Sequence, residues 1–407
     1  MALAAGALVV ATIVTSFMLA SRRAQESVAV LPFKPLLSDN RDQVLEMGMA
    51  DTLISKLSNT REMVVPSLTS VRRYAGLNQD SLAAGRELGV SSVVEGSIQR
   101  MGDRIRVTVR LIKVADGSSL WGATFDEKIA DVFAIQDTIS QKIAEALPLR
   151  LSGEAQKQLR KRYTENVAAY ELYLTGRYHW NKLTPPEIAK SIGFFQQAVE
   201  IDSSYALAYF GLADAYRVLA ITSDMPPKEA FPQAKAAAEK ALQIDDSLAE
   251  PHATLVLVHM WFDWDWAAAE TEAKRGIHLN PNSGFCHWAY AHLLSNLGRH
   301  DEAIIHAARA RELDPLSLIT NTREGAVLYF AGRYDQAKAR LQKTIELDPT
   351  FWVAHLFLGQ VHLQKGNYPA ALEEFSKAKE FSRGNSEAIS MIGYASARAG
   401  DAAKARG

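Results

Sequence analysis

A period of 34 residues runs through the second half of the chain. A large apolar residue followed by a short polar residue recurs at this spacing, and two related dipeptides precede the series. The copies are Leu279-Asn280, Leu313-Asp314, Leu347-Asp348 and Phe381-Ser382, with earlier ones at Ile201-Asp202 and Ile244-Asp245. A period of this length is typical of helix pairs that stack into a solenoid.

Small residues recur in register with this period. One position holds Ala291, Gly325, Gly359 and Gly393, and seven residues later stand Gly298, Gly332, Gly366 and Gly400. A small side chain lets two helices approach closely, and a glycine after a helix adopts the left-handed cap that ends it. Each period is therefore predicted to form two helices joined by a short turn.

Two segments, Gly332-Arg333-Tyr334-Asp335-Gln336-Ala337 and Ile345-Glu346-Leu347-Asp348-Pro349, resemble the tetratricopeptide repeat family. The resemblance spans residues 166–407 and implies about six repeats, the last one truncated. An insertion in residues 221–233 interrupts the pattern, and the aromatic segment 261–266 replaces one turn glycine. Packing between adjacent units explains that aromatic segment better than a ligand site does.

Composition fits such an array plus a further domain. Of 407 residues 48% are apolar and the net charge is −1, so the chain can bury cores and has no bias toward nucleic acid. We therefore expect no direct nucleic acid binding by this stretch. Its one cysteine, Cys286, excludes an internal disulfide framework.

Residues 1–21 contain no charged side chain. Since about 20 apolar residues cross a bilayer as a helix, this segment is predicted to be a transmembrane helix and the chain a single-pass membrane protein. A cleaved signal peptide and a buried core helix are the alternatives. Arg22-Arg23 would hold the following domains in the cytoplasm by the positive-inside rule, so the side of the membrane stays open.

Residues 27–150 show a different pattern, which predicts a small mixed-sheet α/β domain. Strands are expected at 28–33, 62–66, 93–100, 104–114 and 119–125, and helices around 44–57, 80–88 and 132–147. Along the fourth strand Ile105, Val107 and Val109 alternate with Arg104, Arg106 and Arg110. The arginine face is expected to be solvated rather than an anion site.

This region resembles the TolB amino-terminal-like domain in Val28-Ala29-Val30-Leu31-Pro32-Phe33, Glu95-Gly96-Ser97 and Gly102-Asp103-Arg104-Ile105-Arg106-Val107. Joined to tetratricopeptide repeats, such a domain implies the C-terminal, extracytoplasmic part of a bacterial membrane-bound transcriptional regulator. Related arrangements follow kinase or nucleotide cyclase domains. The sequence shows neither a DNA-binding winged helix nor those catalytic domains.

No phosphate-binding loop, dinucleotide fingerprint or zinc-protease motif is present, so no catalytic residue, cofactor, metal ion or small-molecule substrate is predicted. The resemblance instead implies a concave groove for a protein or peptide partner, lined by the first helix of each pair. Its predicted residues are Phe210, Asp214, Trp288, His292, Tyr329, Phe330, Gln360 and Tyr394. They include neither Lys nor Asn, which argues against the carboxylate clamp of the family's chaperone-tail subclass.

The sequence thus predicts an α+β multidomain chain with an N-terminal membrane helix (1–21), an α/β domain (27–150) and an all-α solenoid (166–407). The favoured function is a non-catalytic, membrane-tethered protein-interaction module, the sensory or scaffolding part of a bacterial signalling or transcription regulator. Two alternatives stay open. One is a periplasmic assembly factor with a cleaved signal peptide, and the other is an accessory region of a kinase or nucleotide cyclase.

Overall fold

The computed structural model describes residues 26–36, 41–76, 78–182, 184–221, 225–401, 403 and 405. Its first part contains a mixed sheet with strand order β1-β3-β4-β5, in which β1 and β2 both run parallel to β3 and the later pairs are antiparallel. The strands are β1 Val28–Val30, β2 Lys34–Pro35, β3 Ser92–Met101, β4 Arg104–Lys113 and β5 Ser119–Lys128. The strand predicted at 62–66 is reduced to a single bridge between Val64 and Ser27.

One face of this sheet is buried beneath helices. The helices of this part are α1 Gln43–Ser58, α2 Leu68–Val71, α3 Ser81–Leu88, α4 Val132–Ala146 and α5 Gly153–Arg160. Alternation along β4 buries Ile105 and Val107 completely and leaves Arg104 and Arg106 exposed. Both arginines bind the Asp126 carboxylate on β5, Arg104 at 2.8 Å, so the basic face is partly neutralised within the sheet.

The remaining helices follow one another in pairs. They are α6 Val167–Trp180, α7 Pro185–Ile201, α8 Ala206–Ile221, α9 Pro227–Ile244, α10 Glu250–Val258, α11 Trp266–Leu279, α12 Gly284–Asn296, α13 His300–Leu313, α14 Leu318–Phe330, α15 Tyr334–Leu347, α16 Trp352–Gln364, α17 Tyr368–Phe381 and α18 Ser386–Arg398. The four predicted turn glycines have φ between +71° and +85°, the left-handed conformation in which a side chain would be strained. The helix-pair solenoid predicted from the 34-residue period is confirmed.

The aromatic segment 261–266 forms a local exception. A π-helical turn, His259–Asp263, replaces the glycine turn, and Trp264 takes the left-handed conformation with φ 56°. Trp261 packs edge-on against His292 with ring centroids 5.1 Å apart, whereas Trp264 is 70% exposed. Packing between units therefore accounts for part of the segment only.

The sheet domain and the first helix pairs share one hydrophobic core. α6 lies against α1, where a Cβ added to Gly48 would stand 2.5 Å from the Leu174 side chain. Asp51 of α1 and Arg177 of α6 form a buried ion pair at 2.8 Å. The sheet domain and the first helix pairs are therefore packed against one another.

The predicted fold class and the predicted membrane location are wrong in that both include a transmembrane helix. The described residues form a mostly helical solenoid with a small mixed sheet, and none of their helices is both long and apolar enough to span a bilayer. The longest, Pro227–Ile244, carries five charged side chains, which a bilayer-spanning helix avoids. Residues 1–21 lie outside the described residues, so the membrane helix and the single-pass location have no support in the structure.

The close contact between paired helices predicts that a larger residue at a helix-contact glycine destabilises the solenoid. A methyl group at Gly359 would lie 2.5 Å from the fully buried Phe375 ring, whereas the equivalent position at helical Gly193 has no neighbour within 4 Å. We expect Gly359→Ala to lower the free energy of unfolding by about 1–3 kcal/mol through overpacking. Gly193→Ala should raise it by about 0.5–1 kcal/mol through helix propensity. Urea denaturation measures both, and an equal or higher stability of Gly359→Ala would contradict the packing described.

Candidate functional site

A cavity of about 340 Å³ lies between the sheet domain and the inner face of the solenoid. One wall consists of α1 and of residues 65–69, which form the loop before α2 and the first residues of α2. The opposite wall consists of the first helices of successive pairs, α6, α8, α12 and α14, and of the start of α16. Concave sites between two packed units are common places for ligands and peptides.

Aromatic side chains dominate the solenoid wall. Phe210, Phe285, Trp288 and Trp352 all line the cavity, and the Phe285 and Trp288 rings pack with centroids 5.6 Å apart. Phe210, Phe285 and Trp352 are partly buried, whereas Trp288 is only 6% exposed. Such a wall offers apolar contact area to a bound side chain.

Two of the arginines in the cavity are neutralised by carboxylates. Burial disfavours the charge on Arg177, but the paired Asp51 carboxylate raises its pKa above the usual value. Arg217 donates through Nε to Asp214 Oδ1 at 2.9 Å, and both side chains are buried. The guanidinium of Arg217 also lies 5.2 Å from the Phe285 ring centroid.

A third arginine, Arg323 of α14, is different. Its guanidinium lies 5.4 Å from the centroid of the Trp288 ring. Among the described residues it has no ion-pair or hydrogen-bond partner. Burial lowers its pKa, and repulsion from Arg217 lowers it further, although a guanidinium stays protonated at neutral pH. Among the described residues that line the cavity, Arg323 is thus the arginine that forms no ion pair with a carboxylate.

Asp314 connects the loop of the sheet domain to the solenoid. Its buried carboxylate accepts hydrogen bonds from the Ser67 hydroxyl at 2.6 Å and the Ser67 amide at 3.2 Å, and also from the Ser70 hydroxyl. Burial raises the pKa of Asp314, and these hydrogen bonds lower it. The loop is thereby held at the mouth of the cavity.

The sequence explains why the Asp314 carboxylate can accept hydrogen bonds from the sheet domain. At the equivalent place in the next unit, Asp348 accepts from the hydroxyl and amide of Thr350, two residues later. The residue two after Asp314 is Leu316, which has no hydroxyl to donate. The Asp314 carboxylate is therefore free to receive donors from the sheet domain.

The structure separates the eight predicted groove residues into two sets. Phe210, Asp214 and Trp288 line the cavity. His292 is buried behind it between Trp261 and Trp288, and burial lowers its pKa to about 3. The remaining four, which are not among the residues lining the cavity, are Tyr329, Phe330, Gln360 and Tyr394.

These four lie further along the solenoid. Phe330 is 46% exposed and Tyr394 50% exposed. Tyr329 packs edge-on against Phe330 with centroids 5.2 Å apart, and its hydroxyl accepts a hydrogen bond from Gln364. Three of the eight predicted residues thus line the cavity and four lie elsewhere on the solenoid, and the contact of all eight with a partner stays a prediction.

Sequence reasoning missed Arg323, Phe285 and Trp352, together with the wall that the sheet domain provides. These three residues lie on first helices, α14, α12 and α16 respectively, but not at the repeat positions from which the groove residues were predicted. The helices that carry them were nevertheless expected to line the groove, since they are the first helices of their pairs. No local pattern placed residues 65–69 there.

Comparison with known proteins agrees with the two-part architecture. A family model described as tetratricopeptide repeat matches residues 322–386. A second, described as the second domain of HilA/YgeH-like transcriptional regulators, matches residues 24–143. The resemblance of the latter region to the TolB amino-terminal-like domain stays a prediction.

A curated relative is a putative adenylate cyclase 3 of Rhizobium meliloti (strain 1021). It is 29% identical over 246 residues, which are 58% of this chain and 41% of the relative. The chain thus spans about two fifths of the length of the curated relative that it matches.

Solved structures also match the chain, at low identity and with TM-scores below 0.5. The APC/C hetero-tetramer Cut9–Hcn1 gives a TM-score of 0.45 at 18% identity over 66% of this chain and 53% of that one. PilW, a type IV pilus biogenesis factor, gives a TM-score of 0.39 at 18% identity over 46% of this chain and 86% of that one. The chain contains tetratricopeptide repeats preceded by a domain like the second domain of HilA/YgeH-like regulators.

Proposed function

We propose that the cavity between the sheet domain and the solenoid holds an extended segment of a protein partner. The chain is a tetratricopeptide protein-interaction module, and such repeats bind peptides and proteins. The observation that carries the proposal is the aromatic wall of Phe210, Phe285 and Trp352, which borders an open volume of about 340 Å³. A volume of this size accommodates a few side chains of a peptide.

Binding energy in such sites concentrates in a few aromatic side chains surrounded by contacts that exclude water. Phe210 and Trp352 are partly buried and lie on α8 and α16, so together they span the solenoid wall. Trp288 is less suitable for a test, because its burial makes it a packing residue whose loss would destabilise the repeats.

We predict that Phe210→Ala and Trp352→Ala each weaken a bound peptide more than tenfold, the effect of losing about 2 kcal/mol at a contact hot spot. The probe is the tightest binder selected on the full chain from displayed random dodecapeptides, and its affinity is measured by fluorescence polarisation. Trp264→Ala is the matched control, since this tryptophan is 70% exposed and lies outside the cavity.

Two results would overturn the proposal. One is a set of selected peptides that bind both groove variants as tightly as the unmodified chain. The other is a loss of affinity in Trp264→Ala as large as in the groove variants. A thermal melt of each variant shows whether weaker binding reflects unfolding, and Phe210→Ala and Trp352→Ala should melt within a few degrees of the unmodified chain.

The partner-binding module is proposed to be the sensory or scaffolding region of a bacterial signalling or transcription regulator. The match of residues 24–143 to a domain of transcriptional regulators supports this proposal. A bound segment that contacts both walls would stabilise their packing, so partner binding would be reported to any domain attached to the chain.

A second candidate is the accessory region of a nucleotide cyclase, favoured by the relative named as a putative adenylate cyclase. Tetratricopeptide repeats are generally non-catalytic, whereas the relative's name leaves catalysis by a longer protein open. We predict that the purified chain forms no cyclic AMP from ATP in the presence of Mg²⁺ or Mn²⁺. Formation above the rate of a heat-inactivated sample would contradict a non-catalytic role.

A further inference from the structure

We propose that the outer edge of strand β5, Ser119–Lys128, pairs with β5 of a second copy of this chain. The two sheets would then join into one continuous antiparallel sheet. No residue of β5 lines the cavity, so this surface is independent of the proposed function.

The two edges of the sheet differ in how they are covered. At one edge β1 is buried, and Val28 donates its amide to the Val64 carbonyl at 2.9 Å. At the other edge β5 pairs with β4 alone among the described strands, and Gly122 and Thr124 at its centre are exposed. A long strand with one open side is a template for pairing with another chain.

The hydrogen bonds to β4 determine which backbone groups of β5 point outward. Just after β5, the Ile129 amide donates to the Asp103 carbonyl at 2.7 Å. Because hydrogen-bonded and non-hydrogen-bonded pairs alternate along an antiparallel ladder, the odd-numbered residues of β5 exchange hydrogen bonds with β4. The even-numbered residues Gly122 and Thr124 therefore direct their N–H and C=O groups away from β4.

The central part of this edge lacks the features that usually prevent strand pairing. Edge strands are commonly protected by proline, by lysine or by other charged side chains. Residues 120–125 contain no proline and no charged residue, and residues 121–128 pair with β4 in a regular register. The Asp126 carbonyl already accepts a hydrogen bond from the Arg104 side chain at 2.7 Å. The unprotected part of the edge thus lies before Asp126.

A second copy fits this edge in an antiparallel register centred on Ala123. In that register the outward backbone groups of Gly122 meet those of Thr124 in the second copy, as a hydrogen-bonded pair requires. Trp121 then lies opposite Phe125 of the second copy, and the symmetry makes this contact twice. Both aromatic side chains are only partly buried at the margin of the core, and aromatic pairs across strands stabilise a sheet.

The charges of β5 are compatible with this register. It places the charged residues 126–128 opposite the uncharged residues 118–120 of the second copy. A register centred on Asp126 would instead place two carboxylates directly opposite each other, which is destabilising. The charges and the aromatic residues therefore favour the same pairing.

Sedimentation velocity of the full chain at increasing concentration tests the proposal. One pair of edge strands buries less surface than a standard interface of about 1,600 Å², so we expect a reversible dimer with a Kd of about 1–100 µM. Thr124→Pro removes an outward N–H group and leaves the hydrogen bonds to β4 in place, so it should raise the Kd at least tenfold. Thr124→Val is the matched control, because it keeps the N–H group, and its Kd should not change.

A second pair of variants does not depend on a proline being tolerated. Trp121→Ala keeps every backbone group but removes both aromatic pairs, and should raise the Kd at least tenfold. Trp264→Ala removes a more exposed tryptophan far from β5 in the sequence and should leave the Kd unchanged. A thermal melt of each variant shows whether the sheet remains folded.

Disulfide crosslinking tests the register. The chain's one cysteine, Cys286, is buried and is first replaced by Cys286→Ser. Ala123→Cys then places two thiols opposite each other in a non-hydrogen-bonded pair, where Cα atoms are about 4.5 Å apart and a disulfide can form. We expect a disulfide-linked dimer on a non-reducing gel after mild oxidation. Ser119→Cys, exposed on the same strand, lies opposite Glu127 of the second copy and should remain monomeric.

Three results would overturn the proposal. One is a chain that sediments as a monomer at every concentration up to about ten times the expected Kd, even if β5 accepts an extended segment of another protein. Another is a dimer whose Kd is unchanged by both Thr124→Pro and Trp121→Ala. The third is crosslinking of Ser119→Cys but not of Ala123→Cys. Peptides selected for the groove should bind Thr124→Pro as tightly as the unmodified chain, so a failure of dimerisation is distinguishable from a failure of the groove function.

Discussion

The buried ion pair between Asp51 and Arg177 is the contact on which the arrangement of the two parts depends. It joins the first helix of the sheet domain to the first helix of the solenoid, at a place where Gly48 leaves room for Leu174. Replacing one member of a buried pair leaves an uncompensated charge, at a cost of about 3–5 kcal/mol. The pair therefore selects one orientation of the sheet domain over the repeats.

That orientation creates the cavity. The packing of α1 on α6 places the loop of residues 65–69 opposite α12 and α14, and Asp314 fixes the loop there through Ser67 and Ser70. An array of repeats without this wall would offer only an open concave surface. The wall that the sheet domain adds lowers the exposure of Arg323 and of the aromatic side chains, and lower exposure strengthens electrostatic contacts with a bound group.

Local patterns predicted most of the elements, although the strand expected at 62–66 is only a single bridge. The turn glycines Gly298 and Gly332 predicted helix ends, and the alternation of Ile105 with Arg106 predicted a half-buried strand. Both predictions succeeded because these features depend on residues that are close in sequence. The cavity depends on pairs such as Ser67 with Asp314, 247 residues apart, for which one sequence has no signal. The apolar segment 1–21 supported a membrane helix by composition alone, and no described residue supports that prediction.

Hydrogen exchange measured by mass spectrometry tests most directly whether the sheet domain and the first helix pairs form one body. We expect α1 and α6 of the full chain to open with the same free energy of exchange. Arg177→Met should lower the protection of amide hydrogens in both helices by the same amount. Protection of α6 that persists while α1 opens separately, or an effect of Arg177→Met confined to one of the two helices, would contradict the account.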